Sequence, residues 1–597
     1  MGTITAGGLY TAPATIGSYG IKAISQVSPN PSGTMTISVS SSPVFTIYPF
    51  TASIPLGGQQ TFQPQICSAP DSGSVTWTVD TIPGGNANVG TVTSSGVYTA
   101  PSVPGKHTVA VTDPALNRTS GAVVIVFADV AVDFGSRTTT AHPVPSDMFG
   151  ASRGESIHSV ADRSLITQAG VTVSRLYAQI PLVYATQTPN WTKIDPLIAG
   201  IQAAGQKVLL QMSQTPPWLQ PSTIPCAGNV TAAPTDTTQW AKIATSYVAH
   251  MDAMFPGVVQ DYEIWNEPNA TGICSSDHLK SYMAIYAAAA PMMKNQAVAD
   301  GATIRVGGPS VSGYTSRWLT ALLNDPTTAP YVDFVSYHQY LFGGTDLQVQ
   351  WDTYNGNTSI YQATQDPSNG ALANYTKTST VVRAGKQPLG SNTPIYITEF
   401  NTNFSFFKDC CRNDPTFAPL WNSLYVTDLL NSAYAGLQVP SKLIYFAASA
   451  YPWFCLIGVP DQNFDCLYSS QSVPQPYPQY YAFQLLSSRS YLGLVDGGYM
   501  AKSISPPTGG GGLAVTAFYN ASQDAIVITN PTGTAYPQIQ VSLQNVGFGT
   551  PQATLYQIVN GAMINSSSLA LTPQGTGYSA TVSISAYSVN AISVKGP

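Results

Sequence analysis

Charged residues make up only 9% of this 597-residue chain, against about 25% in an average soluble protein. With 23 Lys and Arg against 29 Asp and Glu, a net charge of -6 and no basic run, the chain lacks the electropositive footprint that nucleic-acid binding requires. Intrinsic disorder needs low hydrophobicity and high charge, whereas here 44% of residues are hydrophobic. Long apolar runs are missing as well. The nearest to the roughly 18 apolar residues of a membrane span is Met283 to Met293, which carries Tyr286 and Pro291 and reads as a buried helix. The 6 His and 7 Cys show no metal-ligand spacing, so neither metal nor other cofactor is expected. The first twenty residues have no basic start and no apolar core; an export signal is expected upstream or already removed. Seven Cys in a Thr-rich, charge-poor chain suit an oxidising compartment, so export is expected.

What is present falls into segments of different texture. Gly2-Thr-Ile-Thr-Ala-Gly-Gly-Leu-Tyr-Thr-Ala-Pro13 recurs as Gly90-Thr-Val-Thr-Ser-Ser-Gly-Val-Tyr-Thr-Ala-Pro101, a repeat of the length of a sandwich domain. Alternating runs at Ser74 to Val79, His107 to Val111 and Ala122 to Phe127 read as strands. The motif resembles bacterial immunoglobulin-like modules of surface and secreted proteins. That resemblance implies a truncated repeat over 1–41, a complete sandwich over 42–130, a secreted or cell-surface bacterial location, and cell-surface association through upstream repeats. From about residue 140, eight β-rich runs alternate with helical stretches: Phe149 to Arg153, Val173 to Tyr177, Lys207 to Met212, Val259 to Trp265, Arg305 to Gly308, Val332 to Tyr337, Ile395 to Glu399 and Leu443 to Ala447. Helices are expected at Ser159 to Ala169 and Ser281 to Val298, with an amphipathic stretch at Gln479 to Ser488. This order predicts a (β/α)8 TIM barrel over 131–489. Strands such as Leu513 to Tyr519, Ala525 to Thr529, Gln538 to Leu543 and Ala591 to Val594 predict a C-terminal β-sandwich over 490–597. The chain is therefore expected to be multidomain, and Gly509 to Gly512 to be a loop.

Reacting groups of such a barrel sit at the C-terminal ends of its strands. The fourth run reads Asp261-Tyr-Glu-Ile-Trp-Asn-Glu-Pro-Asn269 and the seventh Pro394-Ile-Tyr-Ile-Thr-Glu-Phe-Asn401, so Glu267 and Glu399 stand at or just beyond strand ends. Two carboxylates across a barrel mouth can flank a glycosidic bond, one protonating the departing oxygen and the other attacking the anomeric carbon. Trp265-Asn-Glu-Pro-Asn269 with Ile397-Thr-Glu-Phe-Asn401 resembles the clan A retaining glycoside hydrolases, most of all family 39, which includes β-xylosidases and α-L-iduronidase. The resemblance covers about 140–490, and the following sandwich is similar to that family's C-terminal domain. It implies Glu267 as acid/base, Glu399 as nucleophile and Asn266 as the contact to a sugar 2-hydroxyl. From Ser336-Tyr-His-Gln-Tyr340 it implies His338 and Tyr340 as partners of the carboxylates, and Arg175 as the cation that keeps the nucleophile ionised. The chain departs from the clan where the third run ends Gln211-Met-Ser-Gln-Thr-Pro-Pro-Trp218, without a His, and where the eighth ends Phe446-Ala-Ala-Ser-Ala-Tyr-Pro-Trp453, with the usual Trp displaced or replaced. Trp218, Trp453 and Asn401 are the candidate sugar contacts.

Plainer readings exist for each residue: a lone strand-end Glu is ordinarily a solvated surface group, an Arg closes a barrel by an ion pair, a His or Trp fills a core. Finding both Glu in matching motifs at strands four and seven favours catalysis. Gly150-Ala-Ser-Arg-Gly154 matches the esterase elbow around Ser152, but a barrel lacks the α/β-hydrolase strand order, so the match reads as chance. Six Cys follow barrel strands and lie on the catalytic face. Cys226 and Cys274, on neighbouring loops, are the expected disulfide pair, and Cys410, Cys411, Cys455 and Cys466 are expected to form two more bridges, leaving Cys67 free. The expected activity is that of an exported retaining glycoside hydrolase acting on oligo- or polysaccharide. Two alternatives stay open: an endo-acting glucanase or mannanase of another clan A family, and an inactive carbohydrate-binding or adhesion protein.

Overall fold

The computed structural model describes the chain except for 1, 6–9, 25–31, 40–43, 56, 67–68, 72, 102–104, 128–129, 138–142, 153–159, 179, 224, 271, 343–369, 404–416, 449–454, 461–465, 468–472, 504–512, 532 and 534. It divides into two compact units, Met1–Ala128 and Asp129–Pro597. No helix among the described residues is long and apolar enough to cross a membrane.

In the first unit, a five-stranded sheet built on Thr76–Val79, Gly105–Asp113 and Arg118–Phe127 and a four-stranded sheet containing Gly90–Val92 and Val97–Thr99 contribute to one core with Phe62, Trp77, Tyr98, Val109 and Val124. The inward side chains alternate along each strand, as a half-buried strand requires. Among the described residues, the first copy of the repeat forms two hairpins, Thr3–Ile4 with Tyr10–Thr11 and Gly17–Ile24 with Ser32–Val39. Val92 of the second copy is 7% exposed, whereas Ile4 at the same repeat position is 54% exposed.

The second unit contains a closed barrel of eight parallel strands: β1 Phe149–Ser152, β2 Val173–Tyr177, β3 Lys207–Met212, β4 Val259–Ile264, β5 Arg305–Val311, β6 Phe334–Phe342, β7 Ile395–Asn403 and β8 Lys442–Tyr445. Each of the eight runs read from the sequence overlaps one of them, although β5, β6 and β7 run on past the expected ends and β8 starts one residue earlier. β6 starts two residues later than expected and runs on to Phe342. The helices that follow are α1 Val160–Gln168, α2 Asp195–Ala203, α3 Thr237–Met254, α4 His278–Ala299, α5 Ser316–Asn324, α6 Ala371–Ala384, α7 Phe417–Asn431 and α8 Pro478–Ser487. Two of the longest begin at Asp caps. The Asp236 side chain accepts from the backbone of Thr238 and Gln239, and Asp277 from that of Lys280, satisfying amides that the first turn leaves unpaired.

The unit also holds a small three-stranded sheet, Ile457–Pro460 with Cys466–Leu467 and Gln475–Pro476, and a ten-stranded sheet in which Val130–Arg137 is one strand, paired with Tyr536–Gln544 and Tyr499–Ser503. The sequence reading placed 131 at the start of the barrel. The segment belongs instead to the C-terminal sheet, because a strand joins whichever edge its register and apolar face fit, however distant in sequence. The described part of α7 from Ala418 to Leu430 is buried all round, as a helix apolar on every side must be. It packs on the C-terminal sheet, with Ser423 Oγ 2.7 Å from Thr529 Oγ1 and Asn431 donating to Thr516 Oγ1.

The barrel interior is layered. Val173, Leu209, Phe334, Tyr396 and Ile444 form an apolar cluster, beside which Asp261 holds Arg305, Lys442 and the Tyr396 hydroxyl. Towards the C-terminal strand ends the lining turns polar: Arg175, Gln211, Glu263, Ser310, His338 and Glu399 are all buried. The apolar layer excludes water from below, which strengthens every electrostatic interaction above it.

Candidate active site

Arg175 organises the polar layer. Its Nε donates to Glu263 Oε2 at 2.8 Å, and its Nη1 donates to Glu399 Oε1 and the Tyr177 hydroxyl, both at 2.7 Å. Nη2 lies 2.6 Å from Glu263 Oε2 and also donates to Asn266 Oδ1 and Ser310 Oγ. Burial opposes the guanidinium's charge, but Glu263, Tyr177 and Glu399 outweigh it and hold the proton more firmly than in water.

Glu399 reaches this layer through an irregularity in β7. Tyr396 faces the interior, where its hydroxyl meets Asp261, and Ile397 packs in the main core outside it. Strict alternation would then turn Glu399 outward with Ile397. Register shifts against both neighbours, between Tyr337 and His338 on β6 and between Ile397 and Phe400 towards β8, insert an extra residue and swing the carboxylate inward. There Oε1 accepts from Arg175 and Tyr177, and Oε2 accepts from the Tyr340 hydroxyl at 2.6 Å. Burial alone would raise this carboxyl's pKa, but the charges of His338 and Arg175, with the two hydroxyls, bring it down to about 2.

Glu267 sits where the chain leaves β4. Trp265 and Glu267 both have positive φ, at 71° and 44°, a left-handed backbone that costs about 1–3 kcal/mol per residue unless its surroundings enforce it. Two cross-strand bonds do so, from Trp265 N to Met212 O and from Glu267 N to Ser310 O. Asn269 ties the same loop to Ser312. Gly272 must stay bare, since a Cβ there would lie 2.3 Å from the Asn266 carbonyl oxygen. The Glu267 side chain, 32% exposed against 7% for Glu399, is the more open of the two carboxylates. His338 stands between them, its Nδ1 2.7 Å from Glu267 Oε1 and 3.5 Å from Glu399 Oε2 and its Nε2 2.9 Å from Ser310 Oγ. Burial alone would lower the His338 pKa, and the two carboxylates raise it instead.

Of the residues singled out in the sequence, Glu267, Glu399, Asn266, Arg175, His338 and Tyr340 thus meet in one network. Asn401 is buried, with its Nδ2 donating to the Phe446 carbonyl, a bond that ties β7 to the end of β8. Trp218 is half-buried against the core and donates to the Tyr184 carbonyl; Trp453 lies outside the described residues. The aromatic ring beside Tyr340 at the end of β8 is Phe446. Three site residues escaped the sequence reading. Tyr177 was detectable by alternation from Arg175 and Glu263 as an acid inside an apolar strand, but Ser310 carries no signal of its own. Ser152, the esterase-like serine, is buried with its hydroxyl directed at the Tyr445 carbonyl.

Cys226 and Cys274 form a disulfide between the loops that follow β3 and β4. Cys455 is disulfide-bonded too, whereas Cys67, Cys410, Cys411 and the side chain of Cys466 lie outside the described residues. Replacing Cys226 with Ser is expected to cost about 2–4 kcal/mol by the loop-closure argument, read as a lower denaturation midpoint. Tyr340→Phe removes one hydrogen bond to the ionised form of Glu399, so the carboxyl's pKa rises. The acid limb of kcat/KM is therefore expected to move to higher pH, measured on a substrate with an activated leaving group.

A closed (β/α)8 barrel that brings carboxylates from β4 and β7 side by side at its mouth is an arrangement able to flank a glycosidic bond. Residues 186–436 match the profile of Glycosyl hydrolases family 39. The chain is 25% identical over 252 residues to a β-xylosidase of Geobacillus stearothermophilus, covering 40% of this chain and 45% of that protein. It is 26% identical over 221 residues to a β-xylosidase of Caldicellulosiruptor saccharolyticus, covering 36% and 41%. The matched stretch thus spans less than half of either relative. Among solved structures, a GH30 endoxylanase from Clostridium papyrosolvens C71 aligns with a TM-score of 0.51 at 18% identity, over 78% of this chain and all of that one. A family 39 glycoside hydrolase from Bacteroides cellulosilyticus WH2 aligns with a TM-score of 0.50 at 14% identity, over 92% and 100%. At such identities these likenesses establish the fold.

Proposed function

We propose that the protein is an exported retaining glycosidase that cleaves O-glycosidic bonds of an oligo- or polysaccharide by double displacement. The observation that carries the reading is the closeness of the carboxylates: oxygens of Glu267 and Glu399 lie within 4.8 Å of each other, with His338 between them. Retaining pairs stand about 5–5.5 Å apart, because the nucleophile must touch the anomeric carbon, whereas inverting pairs need about 6.5–9.5 Å to admit a water.

The two carboxylates have the different environments that the two roles require. Glu399 is buried, ionised and held by donors on both oxygens. Oε1 carries Arg175 and Tyr177 while Oε2 carries the Tyr340 hydroxyl and faces His338, so Oε2 is the freer oxygen and the one assigned to attack. Glu267, the more open, protonates the leaving oxygen and, once Glu399 has become an ester, takes a proton from water. Asn266, oriented by its Oδ1 contact to Arg175, is placed to donate its amide to a sugar hydroxyl. The Cys226–Cys274 disulfide supports an oxidising, extracytoplasmic setting.

The two β-xylosidase relatives make aryl β-xylosides the first substrates to try, followed by other aryl glycosides and by plant and bacterial polysaccharides. Proton NMR of the first-formed sugar is expected to show the substrate's own anomeric configuration. Inversion would refute the mechanism, and absence of hydrolysis across the panel would refute the activity.

A further inference from the structure

Glu263 lies one layer below the carboxylates and is wholly inaccessible to solvent. Among the described residues its Oε1 has no hydrogen-bond partner, and its Oε2 takes both the Nε and Nη2 edge of Arg175, at 2.8 and 2.6 Å. An ionised carboxylate buried this deeply is unfavourable unless it is paired, and if Arg175 served only to ionise Glu399, a second acid on the same guanidinium would oppose that task. Resting on the proposed reading of the site, we propose that Glu263 is a positioning residue of the glycosidase: it fixes the plane of Arg175 so that Nη1 meets Glu399 and Nη2 meets Asn266, and it remains the cation's counter-ion when Glu399 becomes an ester.

The charge balance through the reaction gives the reason. In the free enzyme, Arg175 faces two carboxylates. When Glu399 Oε2 bonds the anomeric carbon and the bond to the leaving oxygen breaks, the Glu399 charge is consumed, and the proton for the leaving group comes from Glu267. Arg175 stays protonated throughout, so without Glu263 the glycosyl-enzyme would contain a buried cation with no anion of its own, which is strongly unfavourable. Around this centre the other ionisable groups among the described residues are Tyr177 on β2, Glu267 beyond β4, and His338 and Tyr340 on β6, with Tyr282 of α4 near Glu263 itself. None of them supplies a second fixed negative charge to Arg175: Tyr177 and Tyr340 are neutral donors, His338 is cationic when protonated, and Glu267 is bound to His338.

The test is Glu263→Gln, which keeps the shape and removes the charge. With an activated aryl glycoside, kcat/KM is expected to fall about 10- to 100-fold, the scale of one charge-assisted hydrogen bond. The pre-steady-state burst should shrink, because forming the glycosyl-enzyme becomes the slow step. The acid limb should move to lower pH, since the undivided charge of Arg175 now bears on Glu399. Glu263→Asp, which restores the charge on a shorter stem, should recover part of the rate. In an Arg175→Met background, Glu263→Gln should cost less than threefold, because Glu263 acts through Arg175. Wild-type rate and pH profile in Glu263→Gln, or the same loss with and without Arg175, would overturn the proposal. A Glu399→Ala variant as active as the wild type would instead overturn the underlying assignment of the site, so the two failures are distinguishable.

Discussion

Glu399→Ala is expected to lose at least about 10⁵-fold in turnover on every substrate, the scale set by removing a covalent nucleophile, or about 7 kcal/mol of transition-state stabilisation. The loss should be independent of the leaving group, because bond making at the anomeric carbon fails whatever departs. The truncated side chain leaves a space beside Arg175, Tyr177 and Tyr340, all donors aimed at an anion. Azide can occupy it and attack directly, so a β-linked activated substrate should yield the α-glycosyl azide. Purified product characterised by NMR decides the point: a β-azide from this variant would assign the nucleophile elsewhere.

Glu267→Ala is expected to behave differently, since in the proposed mechanism Glu267 serves proton transfer alone. For a leaving group that needs protonation, kcat/KM should drop about 10²- to 10⁴-fold, the usual contribution of a general acid. For an activated phenol the first step should stay near the wild-type rate, and the second should become limiting because water has lost its base. A burst followed by a slow steady state would show this. Azide should then attack the accumulated glycosyl-enzyme and give the β-glycosyl azide from a β-linked substrate. The His338 ring, which has lost Glu267 as partner, still faces Glu399 Oε2 at 3.5 Å, so the nucleophile should remain ionised and the acid limb attributable to it should change little. Equal losses for activated and unactivated leaving groups would remove Glu267 from the acid/base role.

The sequence by itself determined the barrel and its two acids, for reasons local to each. Parallel strands buried on both faces read as short apolar runs, and helices between them read as longer ones, so all eight strands stood out within a few residues. In a chain with 9% charged residues, Glu267 and Glu399 in their motifs were conspicuous. The sequence also brought out the Cys226–Cys274 pair, because loops after adjacent strands are neighbours by topology. Tertiary structure alone decided what those acids touch. The register shift that turns Glu399 inward is an extra residue in β7 that exists only relative to β6 and β8. Ser310 becomes a partner of Arg175 and His338 only because β5 delivers its left-handed backbone between them. Val130–Arg137 joins the C-terminal sheet across some 400 residues of chain. Alternation and apolar periodicity are properties of a single strand or helix, whereas register, charge pairing and sheet order belong to two or more segments at once, and no single segment encodes them.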